Sequence, residues 1–427
     1  MSGYYDLSYV PKKNEIICEF YIEPNHTSFE NACEQVAAES SIGTWTDIST
    51  MRREIAEQLS PHVFYSDKKA GIARISYPDE LFEPGNMPQI LSSIAGNIFG
   101  MKVVKNLRLL DIHFPQEIIK SFRGPKYGIN EIRKSMNIED RPMLGTIIKP
   151  KVGLDSAMHA QVAYNAWVGG CDVVKDDENL TNQSFNPFAK RIVETLRKRN
   201  AAEKYTGERK IYLANVTAET REMIKRAKFV KRHGGEFVMI DVLTAGFSAV
   251  QTLREMDLGV AIHAHRAMHA AITRNPRHGI AMLPLAKIYR LIGVDSLHIG
   301  TAVGKMEGRG AEVSDIEEEI EGKSILERKT VLSQEWGGIK PVLAVCSGGL
   351  YPGVIPELMR IMGKDILIQA GGGIHGHPDG TTAGAKAMRQ AIFASQLNYP
   401  LKKYAKENPE LRKAIDKWGV GKRLKGE

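Results

Sequence analysis

The chain has 427 residues, 43% of them hydrophobic and 25% charged, and its formal net charge is +8. This composition supports two or three domains with buried cores and excludes a disordered or low-complexity chain. Basic and acidic residues are interleaved along most of the sequence, so the charge does not indicate a nucleic-acid partner. No apolar run reaches the ~18 residues that span a membrane, no signal peptide is recognisable, and the cysteines form no C-x-x-C pair. We therefore expect a soluble cytoplasmic protein with reduced thiols and no membrane partner.

The first part of the chain, residues 1–125, has the mixed pattern of a small α+β domain. Strand-like stretches with β-branched residues alternate with helical stretches of period 3.6. In chain order these stretches cover residues 16–22 (strand), 28–38 (helix), 71–77 (strand), 87–98 (helix) and 107–113 (strand). A connector that contains proline and glycine, residues 126–144, separates this predicted N-terminal domain from the rest of the chain.

Residues 145–400 repeat a strand, a turn and a helix. Eight mostly apolar runs read as buried parallel strands, at residues 145–150, 171–175, 210–216, 237–243, 261–265, 296–301, 341–347 and 365–370. Helical periods are clearest at residues 156–168, 187–199, 220–233 and 381–396. Eight such units in about 250 residues favour a (β/α)8 TIM barrel over a doubly wound open sheet. The basic tail, residues 401–427, is predicted to be an amphipathic helix in contact with solvent.

In such a barrel the active site forms at the carboxyl ends of the strands. The first predicted strand ends with Lys149 and Lys151, which share a face because residues i and i+2 of a strand point to the same side. Repulsion between the two ammonium groups favours a lowered pKa for at least one of them, which suits a general acid or base. The alternative interpretation is a pair of exposed loop lysines.

The second predicted strand ends in a run of charged residues. Lys175 and Asp177 share a face, and Glu178 follows at the rim. Carboxylate oxygens suit Mg²⁺, which takes one or two carboxylates and keeps positions for water or substrate. A lysine fits beside them only if CO2 converts it to a carbamate, which would be a third anionic oxygen ligand. The alternative is a solvated charged loop.

The fifth and sixth predicted strands contribute histidines and a glycine-rich loop. His263 and His265 share a face, and Arg266 follows them. The H-x-H pair could bind a transition metal, or a histidine could transfer protons beside a phosphate-binding arginine. After the sixth strand, three glycines around Lys305 suggest a hinged lid over a substrate, with an ordinary surface loop as the alternative.

Glycine runs follow the seventh and eighth predicted strands, at residues 348–349 and 371–373. Consecutive glycines at these two strand ends are typical of the phosphate site of a TIM barrel, because backbone N–H groups can approach the phosphate closely. Arg266, His298 and Ser347 could form a second anion site across the barrel mouth. Together these residues indicate a metal-bound, bisphosphorylated small molecule under a lid.

Several motifs resemble those of the large subunit of ribulose-1,5-bisphosphate carboxylase/oxygenase (RuBisCO). They lie in order at residues 39–45, 96–100, 145–151, 169–179, 263–269, 304–307, 347–349 and 371–373. The resemblance implies carboxylation of ribulose 1,5-bisphosphate with CO2 and water to two 3-phosphoglycerates through a Mg-bound enediolate. It also implies a side reaction with O2.

The same resemblance implies roles for individual residues. Lys149 would transfer protons during enolisation and final protonation, with Lys151 tuning it. His265 would transfer protons near the substrate hydroxyls. Lys305 would close over the substrate and stabilise the new carboxylate, with Glu39 as its ion-pair partner.

The resemblance also implies a metal site and a substrate site. Lys175, carbamylated by activating CO2, would hold Mg²⁺ together with Asp177 and Glu178. One end of the bisphosphate would be held by Arg266, His298 and Ser347. The remaining substrate-binding residues would be Glu39, Thr44, Trp45, Asn97, Lys151, Lys305, Gly348, Gly349, Gly371 and Gly372.

In this family the N-terminal residues of the site come from a neighbouring subunit. The resemblance therefore implies a homodimer or a ring of dimers with active sites at the dimer interface. Departures from plant-type members include Ile147 in place of threonine, Ile299 in place of serine, and the segment 350–353. These departures resemble the archaeal form III branch, which has no small subunit and serves AMP and nucleoside salvage.

Three other functions agree less well with the sequence. A RuBisCO-like enolase or isomerase of sulfur salvage typically replaces several substrate-contacting residues, which this chain retains. A metal-dependent barrel hydrolase would carry its H-x-H pair on the first strand and an aspartate on the last, unlike this chain. A non-catalytic scaffold would leave the placement of Lys149, Lys175 and Lys305 unexplained.

Overall fold

A computed structural model describes residues 3–44, 46, 48–303, 310–329 and 331–421. In chain order its strands are β1 (Ile16–Pro24), β2 (His62–Asp67), β3 (Ile72–Tyr77), β4 (Val104–His113), β5 (Met143–Ile147), β6 (Val173–Lys175), β7 (Ile211–Asn215), β8 (Phe237–Asp241), β9 (Ala261–His265), β10 (Gly279–Ile280), β11 (Ser296–Gly300), β12 (Ser324–Ile325), β13 (Gln334–Glu335), β14 (Leu343–Ser347) and β15 (Ile366–Gln369).

The helices complete the description of the chain. They are α1 (Phe29–Glu39), α2 (Arg53–Leu59), α3 (Met87–Ile94), α4 (Gln116–Lys120), α5 (Gly128–Met136), α6 (Ser156–Val168), α7 (Phe188–Thr206), α8 (Thr220–Arg232), α9 (Val242–Ala245), α10 (Phe247–Glu255), α11 (His269–Thr273), α12 (Met282–Ile292), α13 (Gly310–Glu321), α14 (Ile355–Met362), α15 (Gly372–His375), α16 (Gly380–Gln396), α17 (Leu401–Tyr404) and α18 (Pro409–Trp418). Among these helices, none has the length and apolarity that crossing a bilayer requires.

The chain divides into two compact units. The first comprises residues 1–124, 268–292 and 322–339, and the second comprises the rest of the chain. The two later segments of the first unit lie within the predicted barrel region, yet β10 pairs with β4 and Lys287 forms a buried ion pair with Asp111 at 2.8 Å. The boundaries drawn from the sequence stay a prediction.

The first unit is built on a five-stranded sheet with the order β10-β4-β1-β3-β2. The three predicted strands and the predicted helix after the first of them are confirmed, and the Ser28 side chain caps that helix by accepting from the Asn31 N–H at 3.1 Å. The helix predicted at 87–98 ends earlier, at Ile94. The residue after the helix, Ala95, has φ of −139°, and Gly96 has ψ of −118°, so the backbone leaves the helical path there. Strand β2 and helix α2 were not predicted.

The second unit contains a closed barrel of parallel strands in the order β5-β6-β7-β8-β9-β11-β14-β15. All eight predicted barrel strands are confirmed, and the pairing of β15 with β5 excludes the open sheet. Apolar side chains such as Val173, Met239 and Leu367 form the buried cluster of the barrel. Because side chains alternate along a strand, the residues two positions further on share that inward face at the carboxyl ends.

Two regions flank the barrel strands in sequence. The predicted connector contains helix α5, in which Ile129, Ile132 and Met136 are buried at helical spacing. The predicted C-terminal helix is divided, in its described part, into α17 and α18. Helix α18 buries Leu411, whose N–H donates to the side chain of Gln390 at 3.0 Å.

Candidate active site at the carboxyl ends of the barrel strands

The loop after β6, residues 176–178, is called here the carboxylate loop. Lys149 Nζ lies 2.8 Å from an Asp177 carboxylate oxygen, and Lys151 Nζ lies 3.1 Å from one of Glu178. The structure thus brings the two predicted lysines to the two predicted carboxylates. The hydrogen bond with Glu178 raises the pKa of Lys151, so repulsion between the lysines is not the dominant influence on that residue.

Lys175 is fully buried at the end of β6. Its Nζ donates to the Asp176 carbonyl oxygen at 2.8 Å and lies 3.0 Å from the sulfur of Met239. Burial lowers the pKa of Lys175, although the charges of Glu178 and Asp241 oppose this effect. A lowered pKa increases the fraction of neutral amine, which is the nucleophilic form that can react with CO2.

Asp176 anchors the carboxylate loop from the opposite side. Its buried carboxylate is 3.2 Å from Arg191 Nε and 3.0 Å from His159 Nε2, and it accepts from the Tyr212 hydroxyl at 2.6 Å and the Asn215 N–H at 3.0 Å. These partners outweigh the cost of burial and hold the pKa of Asp176 below its usual range. With the Asp176 side chain fixed, the carboxylates of Asp177 and Glu178 face Lys149 and Lys151.

The residues of the carboxylate loop can be tested for their fit to a metal. Among the described residues, no three His, Cys, Asp or Glu side chains converge as ready-made ligands. Burial opposes ionisation of Glu178, but the charge of Lys175 and a backbone hydrogen bond lower its pKa to about 2. Two carboxylates beside a buried lysine with a lowered pKa fit Mg²⁺ if that lysine supplies the third oxygen as a carbamate.

His265 lies between two carboxylates. Its Nδ1 is 2.7 Å from Asp241 Oδ1, and its Nε2 is 3.8 Å from Glu178 Oε2. Burial and the charge of Lys175 lower the pKa of His265, against the effect of both carboxylates. If the neutral ring donates from Nδ1 to Asp241, Nε2 is left as the basic atom at the barrel mouth. Asp241 was missed from sequence, although it follows Met239 on the inward face of β8.

The predicted anion site is partly assembled. His298 Nδ1 lies 2.8 Å from Ser347 Oγ. Burial lowers the pKa of Arg266 to about 10, so its guanidinium stays charged near neutral pH. A Cβ at Gly300 would lie 2.8 Å from Arg266 Nη2, and Gly300 has φ of 101°, so only glycine suits this position. The rings of His263 and His265 both lie beside the ring of His298, and His263 Nε2 is 2.9 Å from His298 Nε2, so this nitrogen of the H-x-H pair already contacts another imidazole.

The glycines after the last two barrel strands differ in their surroundings. A Cβ at Gly371 would lie 3.1 Å from Lys149 Cε, which places this glycine against the lysine that follows β5, whereas a Cβ at Gly372 would meet nothing within 4 Å. Gly348 and Gly349 both have positive φ, at 121° and 69°. Gln369 was also missed: it is 1% exposed, and neither its amide oxygen nor its nitrogen has a hydrogen-bond partner in the described part of the chain.

The remaining predicted residues lie elsewhere. Glu39 is the last residue of α1, Thr44 follows it, and Asn97 begins a short 3-10 helix, all within the first unit. Trp45 and Lys305 lie outside the described residues, so the predicted lid and its ion pair with Glu39 stay predictions.

Comparison with known proteins links this site to one family. The model for the ribulose bisphosphate carboxylase large chain, catalytic domain, matches residues 128–418, and the model for its N-terminal domain matches residues 3–118. The ribulose bisphosphate carboxylase of Methanosarcina mazei is 53% identical over 421 residues, which are 97% of this chain and 98% of that protein. That of Methanocaldococcus jannaschii is 51% identical over 424 residues, 97% of this chain and 99% of that one.

Solved structures agree over the whole length. Octameric Rubisco from Pyrococcus horikoshii has a TM-score of 0.91 at 49% identity, covering 98% of this chain and 97% of that one. Dimeric archaeal Rubisco from Hyperthermus butylicus has a TM-score of 0.92 at 45% identity, covering 97% and 98%.

Proposed function

Because the chain belongs to the ribulose bisphosphate carboxylase large-chain family, we propose that it carboxylates ribulose 1,5-bisphosphate to two 3-phosphoglycerates. The enzyme is a carboxy-lyase. The observation that carries the proposal is the buried Lys175 beside Asp177 and Glu178. Those two carboxylates are paired with Lys149 and Lys151, which follow β5.

The metal and the activating CO2 are part of the proposal. Lys175 as a carbamate, Asp177 and Glu178 would hold Mg²⁺. When bound, the ion would polarise the substrate ketone and stabilise negative charge on the enediolate.

Two residues at the mouth would move protons. Lys149 would take part in enolisation and in the final protonation, and its side chain is 29% exposed, so it can reach a substrate. His265 would exchange protons with the substrate hydroxyls through Nε2, since Asp241 orients the ring from the other side. The carboxylation steps then require CO2 to add to the enediolate, followed by hydration and cleavage. O2 would compete at the same carbon.

The phosphates would bind at opposite sides of the mouth. Arg266, His298 and Ser347 would hold one phosphate, and the glycines at 348–349 and 371–372, with Thr44 and Trp45, the other. Lys151, Asn97, Glu39 and the lid residue Lys305 would complete the substrate contacts.

The assembly and the biological setting are proposed from relatives. The solved archaeal Rubiscos named above are octameric and dimeric. We infer a homodimer or ring of dimers without a small subunit, in which a neighbouring subunit supplies the N-terminal residues. A form III role in AMP and nucleoside salvage in the cytoplasm is part of the same proposal.

The test is anaerobic fixation of labelled bicarbonate with ribulose 1,5-bisphosphate and Mg²⁺. Wild type is compared with Lys175→Ala and with Lys210→Ala, a control that removes another fully buried lysine of the second unit, one bonded to the Cys171 carbonyl oxygen. We expect label in 3-phosphoglycerate for wild type and Lys210→Ala but not for Lys175→Ala. A folded wild type that fixes no label would contradict the proposal and favour the RuBisCO-like enolase or isomerase.

A further inference from the structure

Four neutral side chains form a hydrogen-bonded row in the barrel, here called the serine–histidine row. Ser296 Oγ is 2.9 Å from His263 Nδ1, His263 Nε2 is 2.9 Å from His298 Nε2, and His298 Nδ1 is 2.8 Å from Ser347 Oγ. His263 is fully buried, and Ser296 and His298 are almost so. The proposed function uses only the last two members of this row.

The row has few possible proton arrangements. Burial lowers the pKa of both histidines well below the usual value, so both rings are neutral near pH 7. A neutral imidazole has one N–H donor and one acceptor nitrogen. Because the two Nε2 atoms face each other, one must donate and the other must accept. A fully hydrogen-bonded row therefore has its protons directed either toward Ser347 or toward Ser296.

An anion beside Ser347 would select one of these arrangements. Phosphate oxygens accept hydrogen bonds, so the Ser347 hydroxyl must donate to the anion and its oxygen must accept from His298 Nδ1–H. His298 Nε2 then has to accept from His263 Nε2–H. His263 Nδ1 in turn has to accept from the Ser296 hydroxyl, which is the end of the row.

We propose that His263 and Ser296 are positioning residues that keep the row fully hydrogen-bonded when the proton of His298 is on Nδ1, the arrangement in which Ser347 donates to a substrate phosphate. Neither residue touches the phosphate. Without the Ser296 hydroxyl, this arrangement would leave His263 Nδ1 as a buried, unpaired acceptor, which is costly. The inference rests on the proposed function, in which His298 and Ser347 hold one end of a bisphosphate.

The experiment removes the Ser296 hydroxyl at one end of the row and measures phosphate binding at Ser347, the other end. Ser296→Ala deletes one hydroxyl, Ser296→Thr keeps it, and Ser395→Ala is the matched control, because the Ser395 hydroxyl donates only to the Ala391 carbonyl oxygen of its own helix. For each variant, KM and kcat are measured with ribulose 1,5-bisphosphate, and binding of inorganic phosphate is measured by calorimetry.

We expect Ser296→Ala to raise KM and the phosphate Kd about fivefold, because the arrangement that phosphate requires would then leave His263 Nδ1 unpaired, with kcat changed less than about twofold. Ser296→Thr should restore both constants, and Ser395→Ala should match wild type. Equal phosphate affinity in Ser296→Ala and Ser395→Ala would overturn the inference.

A second measurement reports directly which ring nitrogen of His298 carries the proton. In ¹⁵N-histidine-labelled enzyme saturated with phosphate, the His298 signal, assigned with His298→Gln, should show the proton on Nδ1. A proton on Nε2 would overturn the inference. Phosphate binding and the tautomer do not depend on turnover, so a wild type that binds phosphate without fixing CO2 refutes the proposed function alone.

Discussion

The end of β6 and the ends of β11 and β14 lie at the same mouth of the barrel, but they are built with different chemistry. The carboxylate loop after β6 is charged, and its carboxylates are paired with cations already. The serine–histidine row is neutral, and burial keeps it so. In the proposed function the charged side would hold Mg²⁺ in place of its lysine partners, whereas the neutral side would offer hydrogen-bond donors to a phosphate.

Among changes to the charged side, Asp177→Asn should have the largest effect on the carboxylation rate. It removes a proposed metal ligand and the ion-pair partner of Lys149, so we expect the carboxylation rate to fall by about 10³–10⁴-fold. The measurement is the initial rate over a range of Mg²⁺ concentrations. Asp155→Asn is the control, since an asparagine can still cap α6. Equal rates in the two variants would remove Asp177 from the site.

Removing the charge of Asp176, which anchors the carboxylate loop, should mainly lower the stability of the protein. Asp176→Asn leaves the buried Arg191 without its carboxylate, and we expect the free energy of unfolding to fall by about 3–5 kcal/mol. Asp379→Asn breaks an exposed pair with Lys413 and should cost less than about 1 kcal/mol. Urea unfolding of both variants checks this, and similar losses would show that the anchor is unimportant.

A histidine outside the serine–histidine row, His375 in α15, can be tested by acid. Burial, aided by the charge of Lys149, lowers the pKa of His375 to about 4, below its value in the unfolded chain. The unfolded state therefore binds more protons between about pH 6.5 and 4, so stability falls as the pH falls through this window. Wild type should lose on the order of 2 kcal/mol more than His375→Gln between pH 7 and 4. Parallel pH profiles of the unfolding free energy would contradict this.

The smallest effect should come from the unpartnered amide on β15. Gln369→Met removes a buried polar group of similar length, and we expect the ligand-free protein to gain about 1 kcal/mol of stability. Gln334→Met is the contrasting control, because Gln334 accepts from the Phe114 N–H and donates to the Phe114 carbonyl oxygen, both at 2.9 Å. The Gln334→Met variant should therefore lose stability. A loss in both variants, measured by urea unfolding, would mean that Gln369 is satisfied.

The sequence allowed the barrel strands to be predicted because each is a short apolar run, a signal that survives without tertiary information. Strand β2 lacks that signal, since its Tyr65 is 42% exposed, and α2 buries no residue, so no amphipathic pattern marks it. Lys149 and Asp177 were recognised singly, but their contact spans 28 residues and depends on strand pairing.

Other features of the site could not be read from the sequence. Asp176 and Asp177 are adjacent and chemically alike, yet one is buried among structural partners and the other faces Lys149. The importance of Asp241 and Gln369 becomes apparent only when the closed barrel shows that both residues lie on its inward face. The identity of a side chain is visible in the sequence, whereas its direction follows from packing.

The pairing of β15 with β5 has a consequence for synthesis of the chain. Strand β5 leaves the ribosome early, but one of its edges stays unpaired until residues 366–369 are made. The same late step brings Gly371 against Lys149 and lets Thr146 Oγ1 donate to the Ala370 carbonyl oxygen at 2.7 Å. A nascent chain or a fragment that ends before β15 therefore has an open barrel mouth. Truncated products of translation that end there would lack this closure however well their earlier strands are formed.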